Sequence, residues 1–179
     1  ATSVDAPGSD ASRLRLLSGV SDPIALICPY SFPEPLAPPI AAALAGATIT
    51  LENLHQAAER IVQQHEMSLI ETAGGLLSPT AANGTVADFA NQLRFQNNDT
   101  PAPALLVARA GLGTVNHTLL TIEIAQNRGL KVLGIILNRA TKQLAEATNP
   151  GLIAEYTDIP ILGIIPEASP TATRDQIIS

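Results

Sequence analysis

Residues 104–120, ALLVARAGLGTVNHTLL, place a short apolar run, a glycine turn and a helical pattern in succession. Three more apolar runs of strand length lie at Met67–Ile70, Val132–Leu137 and Ile161–Ile165. Together with Ala104–Ala108, these runs start 37, 28 and 29 residues apart. Since a strand–helix–strand crossover needs roughly 30 residues, the spacing predicts three consecutive crossover units in one parallel sheet.

The composition indicates an α/β fold of three layers, in which helices flank both faces of a mostly parallel sheet. Apolar residues make up 46% of the chain and aromatic residues only 3%. The core must therefore be built from Ala, Leu, Ile and Val, which is typical of buried parallel strands. A length of 179 residues suits a single domain over residues 1–179.

Charge and cysteine content exclude several classes of protein. The net charge is −6 and the basic residues are scattered, which argues against nucleic acid or a membrane as a partner. No apolar run approaches the ~18 residues of a membrane span, and residues 1–20 do not resemble a signal peptide. Cys28 is the only cysteine, so a cytoplasmic location is expected. Because the first residue is Ala1, we expect a fragment or a processed product.

Helical spacing of apolar residues predicts two long helices between the runs. One covers Leu51–Val62 after the capping residue Thr50, and the other covers Val115–Ala125 and ends at Gly129. The proline-rich stretch Ile24–Pro39 is expected to form a short strand and an ordered loop. Shorter helices are predicted at Asp10–Leu17, Pro38–Leu44, Val86–Leu93 and Pro150–Tyr156.

The apolar runs end in residues suited to a nucleotide and a metal, and ligands bind beyond the carboxyl ends of strands in open parallel sheets. Glu71 follows the first run, and carboxylates are ligands that Mg²⁺ prefers. Gly74 and Gly75 allow close approach to a phosphate, although Glu71 could also simply cap a strand before a turn. Asn138 follows the third run, and its amide either matches the edge of adenine or forms an Asx turn.

Two more features have both a binding and a structural interpretation. The loop from Gly111 suits an anion at a helix N-terminus, or it is an ordinary strand-to-helix turn. Asp10 is either an N-cap or a second metal ligand. Other chemistries lack support: the histidines have no metal-ligand spacing, and residues 1–179 contain no G-x-S-x-G or G-x-x-x-x-G-K-[ST] motif. Cys28 is expected to be a buried packing residue.

The strand-end segments resemble those of dethiobiotin synthetases. SLIETAGGLLSP at residues 68–79 is similar to that family's Glu-Gly-Ala-Gly-Gly segment, and GLGTVNHTLL at residues 111–120 to its Gly-Leu-Gly-x-Ile-Asn-His-x-x-Leu segment. GIILN at residues 134–138 resembles its strand ending in asparagine, and PYSFPEPLAP at residues 29–38 its Asn-Pro-Tyr-x-Phe-x-x-Pro segment. The matches run in order along nearly the whole chain.

The resemblance implies a phosphate-loop NTPase-like fold, a cytoplasmic homodimer and a magnesium-dependent ligase of biotin biosynthesis that uses ATP as co-substrate. In the implied reaction, 7,8-diaminononanoate takes up CO₂ or bicarbonate as a carbamate. ATP phosphorylates the carbamate, and the second amine closes the ureido ring with loss of phosphate. Catalysis of such phosphoryl transfers depends mainly on positioning the reacting groups and neutralising their charge.

Roles for individual residues follow from the same resemblance. Asp10 and Glu71 would hold Mg²⁺, and residues 112–116 would bind diaminononanoate across the dimer interface through Leu112, Gly113 and Asn116. ATP would contact the two metal ligands and a further set of residues: Thr72, Ala73, Gly74, Asn138, Arg139, Pro166, Glu167 and Ala168.

The chain also departs from the family pattern. Thr72 stands where the family usually has glycine, and Pro39 where it often has histidine. The family's first βα unit, its phosphate-loop lysine and its later catalytic lysine have no counterpart in residues 1–179. We therefore expect no catalytic residue here, an exposed edge where the first strand would pair, and little activity from this chain alone. The alternative function is a nucleotide-binding regulatory module without ligase activity, and a cobyric acid-type amidotransferase is a further one.

Overall fold

The computed structural model describes residues 9–94, 101–141 and 143–168. The chain divides into two compact units, Ala1–Asn98 and Asp99–Ser179. The single domain expected over residues 1–179 stays a prediction. In the described parts, no helix combines the length and the apolar character needed to cross a membrane.

The first unit is mainly helical and contains a small antiparallel sheet. Its elements are α1 (Asp10–Ser18), α2 (Ile24–Ile27), α3 (Pro38–Leu44), α4 (Leu51–Val62), β1 (Pro79–Ala81), β2 (Gly84–Thr85) and α5 (Val86–Gln92). Buried apolar residues from α3, α4, β1, α5 and the segment before α4 form its core: Ala42, Ile49, Leu51, Ala58, Ala81 and Phe89.

Local capping explains where the helices of this unit begin. The Thr50 hydroxyl accepts a hydrogen bond from the Asn53 amide at 3.2 Å, which confirms the predicted start of α4. A capping box starts α5: the Thr85 amide donates to Asp88 at 2.9 Å while the Thr85 hydroxyl accepts from the Asp88 amide. Both helices therefore begin where the sequence predicts.

Two strand predictions in this unit are wrong. Met67–Ile70 is not a strand, since it pairs with no other segment of the described residues, and Met67 and Leu69 are 79% and 85% exposed. An apolar run becomes a strand only beside a partner that completes its hydrogen bonds. Ile24–Ile27 is a helical turn rather than a strand, because the Cys28 amide donates back to the Ile24 carbonyl at 2.8 Å.

The second unit contains the parallel sheet. Its elements are β3 (Ala104–Arg109), α6 (Thr114–Asn127), β4 (Val132–Ala140), α7 (Leu144–Tyr156) and β5 (Ile161–Pro166), and the strand order is β3-β4-β5. Both strand pairs are parallel, with Ala108 opposite Leu137 and Ile135 opposite Ile161. Two of the three expected crossover units are therefore confirmed, and the third is lost with the Met67–Ile70 strand.

Helices α6 and α7 pack together against the sheet. The core between them contains Ile122 from α6, Ile153 from α7, and Ile135 and Leu137 from β4, of which the last three are fully buried. Burying each such side chain contributes roughly 1.5–3 kcal/mol. The expected α/β class, with a parallel sheet flanked by helices, is confirmed.

The predicted end of α6 is confirmed, whereas the predicted start of α7 is wrong. Gly129 has a φ of 73° just after α6, and the Leu130 amide donates to the Ala125 carbonyl at 2.9 Å, which confirms the predicted glycine end. Helix α7 begins at Leu144, six residues before the predicted start at Pro150. A capping box of Gln143 and Glu146 starts the helix early, and Pro150 is accommodated inside it.

Candidate active site

The carboxyl ends of β3, β4 and β5 lie side by side in the second unit. The Ala110 amide donates to the Asn138 carbonyl at 2.9 Å, and the Glu167 amide donates to the Ala140 carbonyl at 2.8 Å. These bonds continue the parallel ladder one residue beyond the strands. The loops that follow the three strands therefore meet at one edge of the sheet, where open parallel sheets bind ligands.

Asn138 is half-buried near the end of β4, and its side chain bonds to the next residue. Its Oδ1 accepts from the Arg139 amide at 2.8 Å. This bond reaches one residue along the chain, so it is not the Asx turn considered as an alternative, which reaches two residues. It also identifies the oxygen of the amide group, because a backbone N–H is always a donor. The Nδ2 group has no acceptor in the described parts of the chain.

Arg139 is the only non-glycine residue with positive φ among the described residues, with φ 60°. A left-handed conformation costs an arginine roughly 1–2 kcal/mol. A residue stays in such a strained conformation only where the surrounding structure holds it there, which is common at functional sites. The Arg139 guanidinium pairs with the Glu167 carboxylate at 3.0 Å, so a side-chain contact joins the turn to the end of β5.

A shallow pocket of about 490 Å³ lies beside this turn. It is lined by Ala140 and Thr141 after β4, and by Ile164, Pro166 and Glu167 of β5 and its end. Its walls are mainly apolar, Thr141 and Glu167 supply the polar groups, and the pocket is open to solvent. The structure therefore brings Asn138, Arg139, Pro166 and Glu167 together, while Ala168 is exposed one residue farther on.

The glycine loop between β3 and α6 opens a helix, as the sequence predicts. Gly113 is the N-cap of α6 and has a φ of 89°, which only glycine adopts without strain. Leu112 is 92% exposed, and Asn116 is exposed on the first turn of α6. The three residues assigned to the substrate thus lie together at one exposed helix end.

Two buried polar residues on α7 hold these loops, and sequence reasoning missed both. Asn149 donates through Nδ2 to the carbonyls of Ala110 and Gly111, at 2.8 and 3.2 Å. Glu146 accepts from the Thr141 amide, from the Thr141 hydroxyl at 2.8 Å and from the Gln143 amide at 3.4 Å. The spacing of Gln143 and Glu146 is a readable capping signal, whereas Asn149 has no local signal.

The first unit contains the residues assigned to the metal and the phosphates. Asp10 is the exposed first residue of α1, and Ser9 is the N-cap, so the interpretation of Asp10 as the cap is wrong. Glu71 is exposed and follows a segment that is not a strand, so its interpretation as a strand cap is also wrong. Among the described residues, no group of three or more His, Cys, Asp and Glu side chains is arranged to hold a metal.

The segment after Glu71 turns tightly. Thr72 is half-buried, and Ala73 and Gly74 are exposed. Gly74 has a φ of 90°, and a Cβ atom there would lie 2.6 Å from the Ser78 hydroxyl. A side chain at Gly74 is therefore excluded by both strain and contact.

Cys28 lies close enough to Asp10 to be affected by its charge. Burial raises the pKa of the Cys28 thiol, and the Asp10 carboxylate raises it further. The thiol donates to the Tyr30 carbonyl at 3.3 Å. A half-buried, neutral thiol of this kind is unreactive, in keeping with the packing role predicted for Cys28.

Comparisons with known proteins match nearly the whole chain. A family model described as an AAA domain matches residues 1–174. An ATP-dependent dethiobiotin synthetase BioD from Anaeromyxobacter sp. (strain K) is 42% identical over 168 residues, which are 93% of this chain and 72% of that protein. Another from Bacillus cereus (strain AH820) is 39% identical over 175 residues, which are 96% of this chain and 69% of that protein.

A third relative matches a shorter region more strongly. The ATP-dependent dethiobiotin synthetase BioD from Anaeromyxobacter dehalogenans (strain 2CP-1 / ATCC BAA-258) is 49% identical over 131 residues, which are 73% of this chain and 56% of that protein. The longer matches extend over both compact units, so the similarity is not confined to the sheet or to a single motif.

Proposed function

Because the chain belongs to the family of ATP-dependent dethiobiotin synthetases, which are ligases of biotin biosynthesis, we propose that it closes the ureido ring of dethiobiotin from 7,8-diaminononanoate, CO₂ and ATP. The observation that carries this proposal is the 42% identity to a dethiobiotin synthetase over 93% of the chain. The joined ends of β3, β4 and β5 support it, because they supply the edge where a parallel sheet binds ligands.

The adenine base occupies the pocket beside the ends of β4 and β5 in this proposal. Asn138 offers as a donor its Nδ2, which has no acceptor among the described residues, and its oxygen accepts from the Arg139 amide. Ile164 and Pro166 supply apolar surface for the face of the base. Arg139, Glu167 and Ala168 border the base, and the Arg139–Glu167 pair fixes the rim.

Magnesium and the phosphates are assigned to the first unit. Asp10 and Glu71 are exposed carboxylates, and neither pairs with a cation in the described parts of the chain. Hard oxygen donors of this kind fit Mg²⁺, which usually takes one or two carboxylates and completes its shell with water and phosphate oxygens. When bound, Mg²⁺ would neutralise charge on the phosphates. Thr72, Ala73 and Gly74 would offer backbone amides beside it.

The diaminononanoate tail is assigned to the opening of α6. Leu112 offers exposed apolar surface for the alkyl chain, and Gly113 and Asn116 offer an amide and a side-chain donor for the carboxylate. A helix N-terminus attracts such an anion. We place this contact across the interface of a cytoplasmic homodimer, so that each subunit completes its partner's substrate site.

The chemistry conserves every atom in three steps. One amine adds to CO₂ and releases a proton, which gives a carbamate. The carbamate oxygen takes the γ-phosphoryl group of ATP and releases ADP. The second amine then attacks the carbamate carbon and loses a proton, the bond from that carbon to the phosphate oxygen breaks, and the ureido ring closes with release of phosphate. Catalysis here depends on placing the groups and neutralising charge.

The test is a direct assay of the full-length gene product. The purified protein is incubated with diaminononanoate, bicarbonate, Mg²⁺ and ATP, and dethiobiotin and ADP are measured by mass spectrometry. We expect equal amounts of both products, and none without ATP. A protein that binds ATP but forms no dethiobiotin would instead be the regulatory module.

A further inference from the structure

We propose that Glu146 and Asn149 are positioning residues that fix the two ligand loops of the second unit to one helix. Asn149 holds the loop after β3, which is assigned to the substrate. Glu146 holds the loop after β4, which borders the base pocket. The inference rests on the proposed function for the identity of the two ligands, but its geometry stands on the structure alone.

Asn149 is only 6% exposed, although it lies in the middle of α7. Its Nδ2 group donates to two successive carbonyls, those of Ala110 and Gly111. A buried amide left without partners costs about 1–3 kcal/mol. The pair of bonds therefore fixes the orientation of two consecutive peptide groups at the start of the glycine loop.

The consequence for the loop follows from peptide geometry. In a trans peptide the N–H points opposite to the C=O of the preceding residue. Because the carbonyls of Ala110 and Gly111 point at Asn149, the amides of Gly111 and Leu112 point away from α7. Neither amide has a hydrogen-bond acceptor within the described ranges. Asn149 thus orients two backbone N–H groups away from α7, beside the exposed N-terminus of α6.

Glu146 acts on the other loop. It is 8% exposed, and its Oε2 atom accepts from both the amide and the hydroxyl of Thr141 and from the amide of Gln143. Thr141 lines the pocket between β4 and β5. A carboxylate that accepts several donors at once holds their positions strongly. Removing it would free the wall of the pocket on the β4 side.

The two residues are three positions apart, so they lie on the same face of α7. Fully buried Ile153 follows on that face and fixes the helix in the core. The helix is therefore a rigid support with one buried polar residue bonded to each loop. This arrangement predicts separable effects: Asn149 should affect the substrate, and Glu146 should affect the nucleotide.

Steady-state kinetics of the full-length gene product test the proposal. The test variants are Asn149→Ala and Glu146→Ala. The control is Ile153→Ala, which shortens an apolar side chain on the same buried face of α7. Loss of one set of buried hydrogen bonds should raise the affected KM about tenfold. Asn149→Ala should raise the KM for diaminononanoate and leave that for ATP within about twofold, and Glu146→Ala should do the reverse. Ile153→Ala should show no such split. Equal changes in both KM values, or the same split in Ile153→Ala, would overturn the proposal.

A second measurement separates this inference from the proposed function. Hydrogen exchange needs no turnover. Asn149→Ala should speed exchange of the Thr114 amide, which donates to the Gly111 carbonyl, whereas Glu146→Ala should speed exchange of the Thr141 and Gln143 amides, which donate to Glu146. If the wild-type protein makes no dethiobiotin, the proposed function fails, yet this exchange pattern still decides the positioning role. The same exchange pattern in both variants would refute the positioning role. If Asn149→Ala does not fold, Asn149→Ser replaces it in the test. Serine keeps one donor, so the exchange rates should rise at the same positions but by less.

Discussion

The Arg139 guanidinium and the Glu167 carboxylate form an ion pair of 3.0 Å that joins the end of β4 to the end of β5. Both side chains are largely exposed, so solvent screening limits such a pair to about 0–1 kcal/mol. The pair connects the two sides of the pocket rim, because Glu167 lines the pocket and Arg139 occupies the strained turn beside it.

The strain at Arg139 predicts an order of stability between two variants. Arg139→Gly and Arg139→Ala both lose the ion pair, but only glycine adopts the left-handed φ of 60° freely. We expect the glycine variant to have the higher free energy of unfolding, by about 1 kcal/mol. Urea denaturation measures both values. An alanine variant as stable as the glycine variant would show that the turn relaxes.

Gly134 and Leu162 predict a coupled packing effect. A Cβ atom at Gly134 would lie 2.4 Å from Cγ of Leu162, a contact that forces a shift. Gly134→Ala should therefore destabilise the protein by about 1–3 kcal/mol. In the background of Leu162→Ala the same change should cost much less, because the obstructing atoms are gone. Thermal or urea unfolding of the four proteins gives the coupling, and additive effects would contradict it.

The thiol of Cys28 predicts a loss of stability at alkaline pH. Burial raises its pKa above the ordinary value of 9.0, so the folded state holds the proton that the unfolded state releases. The free energy of unfolding should be unaffected by this group below pH 9 and should fall as pH rises from 9 toward the raised pKa. Urea denaturation across pH 8 to 10.5 checks this against Cys28→Ala. A variant that loses as much stability as the wild type in that window would assign the fall to another group.

The metal assignment predicts loss of magnesium-dependent nucleotide binding in Glu71→Ala. Removing one of two carboxylates from a hard-cation site weakens the cation, and ATP that binds through it, by about tenfold or more. Calorimetry of ATP binding with Mg²⁺ and with EDTA measures the effect. Glu66→Ala removes another exposed carboxylate five residues earlier in the chain and should not change ATP binding. Equal Mg²⁺ dependence in wild type and Glu71→Ala would remove Glu71 from the metal site.

Features with local causes were predictable from the sequence. Thr50 caps α4 and Gly129 ends α6 because both effects act within one helical turn. The strands of the second unit were also predictable, since their apolar runs recur at crossover spacing. Glu167 lies just after β5, as predicted by the rule that ligand groups follow the strands, whereas Asn138 lies inside β4, which extends to Ala140 beyond the predicted run.

Features with distant causes were not predictable. Met67–Ile70 has the pattern of a strand, but pairing depends on a neighbouring segment that the pattern does not contain. Asn149 contacts carbonyls 38 and 39 residues away, so its role is visible only in the folded chain. The early start of α7 depends on a capping box that outweighs the proline at position 150.

Calorimetric titration of Mg·ATP into the full-length gene product and its Asn138→Asp variant tests the central claim that the joined strand ends bind the nucleotide. Aspartate keeps an oxygen that accepts from the Arg139 amide, but it replaces the Nδ2 donor assigned to adenine with a second oxygen and adds a negative charge. Asn116→Asp adds the same charge at the opening of α6 and serves as the control. We expect about a tenfold loss of ATP affinity for Asn138→Asp and little change for Asn116→Asp. Unchanged affinity in Asn138→Asp, or an equal loss in both variants, would contradict the account.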